Sequence, residues 1–137
     1  MSLTKVLDQM VGRIAIAKSA ARIAALTQLI LDQVGASPDW QVASITSSGA
    51  GDGCVIEVAL AVGGRPTGGT PVFTGIDVTD DRAVSAFVDQ VYTVLIEESG
   101  GTLRRLCPGH GHPSWPVSSE GNVLWVCLEA PRASLGR

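Results

Sequence analysis

Cys54–Val62, CVIEVALAV, is the stretch whose reading decides the fold. Cys54, Ile56, Val58, Leu60 and Val62 share one face, while Val55 and Glu57 fall on the other. That period of two is the pattern of a strand with one buried side. It makes Cys54 a core residue rather than a ligand. Working outward, Trp40–Ser47 reads as a preceding strand, entered through the turn Ser37-Pro38-Asp39. Gly49-Ala50-Gly51-Asp52-Gly53 connects the two. Beyond Val62 a glycine-rich link, Gly63 to Thr70, leads into a third strand over Pro71–Val78. That link lacks the Gly-Lys-Ser/Thr ending of a phosphate loop, and a strand rather than a helix follows it, so phosphate binding is not expected.

Helices flank these strands. Leu3–Val34 is rich in alanine, leucine, isoleucine, lysine and glutamine and has no proline, which favours one long helix. Gly12 is the position where it would bend, and Gly35 closes it. The helix carries two apolar stripes: Leu3, Leu7, Met10, Ile14, Ala17, Ala21, Ala24, Gln28 and Leu31, and then Ile16, Ala20, Ile23, Ile30 and Val34. Two stripes offer more surface than one sheet covers, so a homodimer through this helix is expected. The second helix starts at the N-cap Thr79, with Asp80 and Asp81 in its first turn. It runs to about Glu98 with Val84, Phe87, Val88, Val91 and Leu95 on one face, and Gly100 and Gly101 end it.

The expected fold is therefore α+β: a long N-terminal helix, a three-stranded antiparallel sheet, a second helix and a C-terminal β-hairpin. Residues 1–99 form the core, and 100–137 the cysteine/histidine hairpin and its tail, which frays after Cys127. At 137 residues with 45% hydrophobic and 17% charged content, the chain is one folded domain. A net charge of −3 disfavours nucleic acid as the main partner, although Arg104 and Arg105 make a local basic patch. The opening MSLTKVLDQM is not a basic run followed by an apolar block, so no secretory signal is expected. Lys18, Arg22, Gln28 and Asp32 interrupt the apolar region Ile14–Val34, which argues against a membrane span. Three cysteines, an odd number, do not suggest a disulfide framework. A reducing cytoplasmic location is the expectation.

Both histidines and two of the three cysteines lie in Leu106–Cys127, LCPGHGHPSWPVSSEGNVLWVC. Cys107, His110, His112 and Cys127 are thiolate and imidazole donors of the kind zinc prefers, in the spacing C-x2-H-x-H-x14-C. Pro108 and Gly109 allow the tight local fold that such ligands need. Trp115, Val117, Val123 and Trp125 suit strands, and Glu120-Gly121-Asn122 suits a turn. A turn centred on Glu120 and Gly121 sets Cys127 opposite Ser114, beside His112.

This hairpin partly resembles a zinc ribbon with a zinc knuckle at Cys-Pro-Gly-His. Such ribbons carry two ligand pairs, each with two intervening residues. Here Cys107 and His110 match the first pair and Cys127 stands alone in the second, so the resemblance implies that His112 supplies the fourth ligand. The helix, strand and helix order is also similar to that of double-stranded RNA-binding domains, except that Asp80-Asp81-Arg82 stands where that family has a basic helix start. The order is similar too to type III secretion chaperones, which are small acidic dimers.

The chain has no H-E-x-x-H, and HGHPS lacks the later Asp-His of a metallo-β-lactamase-type site. The leading expectation is a non-catalytic binding or adaptor protein with a structural zinc and an unknown protein partner. The alternatives are a metal-free, chaperone-like dimer and a metal-dependent hydrolase with Glu120 or Glu129 as base.

Overall fold

The computed structural model describes residues 2–49, 53–75, 77–109 and 111–127. Helix α1 spans Leu3–Gln33, with the Ser2 hydroxyl accepting the Lys5 N–H at its start. It runs through Gly12 without a break, since one glycine costs a helix only about 1 kcal/mol. Its end is a Schellman turn. Gly35 takes φ +74°, and the N–H groups of Gly35 and Ala36 donate to Asp32 and Leu31 carbonyls at 3.2 and 3.0 Å.

The main sheet is antiparallel. Strand β1 (Trp40–Gly49) pairs along the whole of β2 (Cys54–Val62), with a bulge between Val42 and Ser44. The bulge explains why the partly buried residues of β1 run Trp40, Val42, then Ile45. On the other side of β2 sit β3 (Arg65–Pro66) and β4 (Val72–Gly75). The third strand is thus shorter than Pro71–Val78, and the preceding glycine-rich link contains a two-residue strand. Ile76 lies outside the described residues. Cys54, Ile56, Val58 and Leu60 are buried, and Val55 and Glu57 are exposed, as their alternation requires.

Helix α2 spans Asp81–Glu98. Its N-cap is Asp80, not Thr79: the Asp80 carboxylate accepts the Arg82 N–H at 3.1 Å. Asp77 accepts the Thr79 N–H at 2.8 Å, which turns Thr79 into part of the approach to the helix. Val84, Phe87, Val88, Val91 and Leu95 are all buried. Gln90 docks the helix to β4: its side-chain amide accepts the Val72 N–H at 3.0 Å and donates to the Val72 carbonyl at 2.9 Å. One amide thereby continues the ladder on the open side of β4.

Strands β5 (Trp115–Ser119) and β6 (Asn122–Val126) form the C-terminal hairpin. Val123 and Trp125 belong to the same buried cluster as Ile23, Ile30, Phe87 and Tyr92.

The two stripes of α1 meet different fates. Ile23 and Ile30 are fully buried, and Ile16, Ala20 and Val34 pack against the core. The other stripe is exposed from Leu3 to Ala21, becomes half-buried at Ala24 and enters the core only at Leu31. Despite the charges expected to exclude a span, α1 is long and apolar enough to cross a membrane, with an 18-residue window of mean hydropathy 1.5. The core helix of a soluble protein and a signal sequence near the N-terminus both meet the same condition; the C-terminal half of α1 is built into this core.

Candidate metal centre

The site begins with the turn of the hairpin. Glu120 and Gly121 both have positive φ, +51° and +80°, the signature of a type I′ turn, whose twist matches the flanking strands. That turn sets the register Ser119↔Asn122 through Trp115↔Val126. One further step places Cys127 opposite Ser114, as the sequence suggests.

The knuckle is a second, tighter reversal. The Cys107 N–H donates to the His112 carbonyl at 3.1 Å, and the Ser114 N–H to the Arg105 carbonyl at 2.7 Å. Gly109, inside the loop, takes φ +76°. Cys107 and His112 therefore stand at the two ends of a closed loop, beside the end of β6 that carries Cys127.

Cys107, His112 and Cys127 come together. Their candidate ligand atoms all lie within 4.8 Å of one another, and both cysteines are buried. The Cys107 Sγ is 3.6 Å from His112 Nδ1, and the Cys127 Sγ is 3.6 Å from His112 Nε2. Around tetrahedral zinc, bond lengths of ~2.3 Å to sulfur and ~2.05 Å to nitrogen put those atoms about 3.5 Å apart, and two sulfurs about 3.8 Å apart. No edge of the trio exceeds 4.8 Å, about 1 Å longer than the sulfur–sulfur edge of such a tetrahedron; the two 3.6 Å contacts are made by different ring nitrogens, so one of them at most is such an edge.

One imidazole binds one ion through one nitrogen. Nδ1 also lies 3.2 Å from the Pro113 carbonyl oxygen. With its proton on Nδ1, the ring donates to that carbonyl and keeps a lone pair on Nε2, beside the Cys127 sulfur. A backbone carbonyl holding the far ring nitrogen is how ligating histidines are usually oriented. The three side chains are close enough to hold a metal ion. His110, the fourth donor expected from the sequence, lies outside the described residues, as does Glu129. Glu120 sits at the turn, a full strand away from Cys127, roughly 17 Å at 3.3 Å per residue. It is too distant to serve as a base at this cluster.

What holds the hairpin in place is a row on α2 that hydrophobic periodicity does not reveal. Asp81, Ser85, Asp89 and Tyr92 fall at helical spacing on one flank. The Asp81 carboxylate accepts the Ser118 hydroxyl at 2.8 Å and the Glu120 N–H at 2.9 Å. These bonds hold its carboxyl below the usual carboxylate range, the Glu120 N–H foremost. Ser85 accepts the Ser118 N–H at 2.8 Å, and Asp89 accepts the Trp115 indole N–H. Tyr92 packs edge-on against Trp115 and Trp125, with centroids at 4.9 and 5.2 Å, and its hydroxyl accepts the Arg105 N–H at 2.9 Å. Burial pushes the Tyr92 phenol up. The Arg105 guanidinium lies 5.3 Å over the Trp125 ring, so half of the expected basic patch is engaged just before the knuckle. Trp125 also donates to Gln33 at 2.8 Å, tying β6 to the end of α1. The four-residue spacing of Asp81, Ser85 and Asp89 along one flank of the helix was the available signal.

Cys54 is buried in the sheet, its thiol 3.4 Å from the Gly75 carbonyl, and burial raises its pKa. It stands apart from the cluster as a core residue.

Comparison of the chain with protein-family models, with curated proteins and with solved structures returns no match.

Proposed function

We propose that this chain is a small cytoplasmic binding or adaptor protein whose C-terminal hairpin is held by a structural zinc ion. The observation that carries the reading is the convergence of Cys107, His112 and Cys127 within 4.8 Å. Two thiolates and an imidazole are a donor set suited to zinc, softer than magnesium or calcium accept. The ligands join the start of a loop, its end and the last residue of the hairpin. An ion there would tie the loop 107–112, which has little apolar surface of its own, to the end of the hairpin. His110, two residues before His112, is the natural fourth ligand and would complete a closed tetrahedron, the coordination of structural rather than catalytic zinc. Thiolate ligands also suit a reducing compartment.

Elemental analysis of protein purified without chelator tests the reading. About one equivalent of zinc per chain is expected, and stripping it should lower the melting temperature. Less than about half an equivalent, or a melting curve indifferent to chelator, would overturn it.

A further inference from the structure

Most of the large apolar side chains left exposed among the described residues lie on α1. Leu3, Leu7, Met10, Val11 and Ile14 are 74%, 51%, 51%, 66% and 54% exposed. At 100° per residue this arc is centred roughly 150° round the helix from the face formed by Ile23, Leu26 and Ile30. The protein's own sheet cannot reach it. A contiguous apolar patch of this kind marks an interaction site.

We infer that α1 pairs antiparallel with α1 of a second copy, with Leu7 opposite Ala24, Met10 opposite Ala21 and Ile14 opposite Ala17. The stripe is large in its N-terminal half and small in its C-terminal half. Running two copies in opposite directions therefore sets one large side chain against one alanine in these three layers, with Leu3 opposite Gln28 at the ends, which lets the helices approach closely without voids. A parallel pair would stack large on large at one end and alanine on alanine at the other. It would also bring Arg13, flanking the seam, against Lys18 of the second copy, a like-charge contact. The antiparallel order moves Arg13 beside Ala20 and Lys18 beside Val11.

The area is adequate but modest. A seam from Leu3 to Gln28 is about 39 Å long, and at a helix width of 10–12 Å it covers on the order of 400–450 Å² on each copy. The total is near the lower bound of ~1,000 Å² for specific association, so the dimer should dissociate on dilution. An anionic lipid surface is the competing occupant, since Lys5, Arg13, Lys18 and Arg22 outnumber Asp8 in this segment. Lipid would use the large N-terminal residues and leave the alanine run without a role. The pairing is independent of the metal site.

Light scattering or sedimentation of the full chain should show the mass doubling between about 5 and 200 µM. Ile14→Glu should abolish the doubling while leaving the melting temperature of the dilute, monomeric chain unchanged, because that side chain lies outside the core. The double variant Leu7→Cys/Ala24→Cys should cross-link into a covalent dimer on mild oxidation, well above the wild-type background from the native cysteines. Neither single variant should do so. A chain that stays monomeric across the range would overturn the proposal. So would cross-linking by Leu7→Cys alone, which reports a parallel pair. Binding of a monomer to phosphatidylserine vesicles through the same stripe would assign the surface to lipid instead.

Discussion

The carboxylate of Asp81 accepts the backbone N–H of Glu120 at 2.9 Å, across 39 residues of sequence. One residue in the first turn of α2 thus holds the tip of the hairpin. The tip sets the strand register, and the register sets where Cys127 falls. The candidate metal cluster at one end of the ribbon is thereby linked to an acidic anchor at the other.

Asp81→Asn should weaken this anchor. An amide oxygen accepts less strongly than a carboxylate and favours negative charge at the helix start no longer. We expect a lower melting temperature and faster amide exchange at Glu120, with α2 itself intact. The folded carboxyl sits below its unfolded pKa. Its contribution is therefore fully present above the ordinary carboxylate range and is lost as pH falls through the folded value. An acid titration followed by amide exchange should show the hairpin tip loosening in that window in the wild type, and no such step in Asp81→Asn.

Tyr92→Phe removes the acceptor of the Arg105 N–H while keeping the ring between Trp115 and Trp125. A cost of about 1–2 kcal/mol is expected from one lost, partly buried hydrogen bond, measured by denaturant unfolding. Tyr92 is the chain's single tyrosine, so tyrosinate absorbance reports it alone. Its folded pKa is raised by burial. The stabilisation tied to the neutral phenol is complete below the unfolded pKa and is lost as pH rises through the folded one. Tyrosinate formation should be displaced to higher pH in the folded chain than in the chain unfolded by denaturant.

Trp125→Ala should be the most damaging of these changes. The side chain is fully buried, and large-to-small substitution of a buried tryptophan typically costs about 3–5 kcal/mol. The loss should appear in thermal unfolding and in metal retention, because the same strand leads directly into Cys127.

Cys107→Ser and Cys127→Ser should each reduce bound zinc below about half an equivalent and lower the melting temperature by roughly 5–10 °C. Cys54→Ala should leave zinc content unchanged, since that thiol faces the Gly75 carbonyl in the sheet.

Much of this was legible in the chain. The alternation of Cys54–Val62, the apolar face of α2 and the Glu120–Gly121 turn are local patterns, and each names its own element. The turn even placed Cys127 opposite Ser114, because a two-residue reversal leaves one register. The polar row Asp81, Ser85 and Asp89 was less legible: its spacing is helical, but nothing local says that a hairpin lies against it. The N-cap was misplaced by one residue because Thr79 and Asp80 are both good caps, and only the Asp77 side chain, by taking the Thr79 N–H, decides between them.

By itself, then, the sequence determined the elements, their order and the meeting of His112 with Cys127, all governed by interactions between near neighbours. Tertiary structure alone decided which of the two stripes of α1 is buried. Both are apolar at the same period, so periodicity assigns them equal claims. The choice is made by the sheet and the hairpin, which accept Ile23 and Ile30 and leave Leu7, Met10 and Ile14 facing outward.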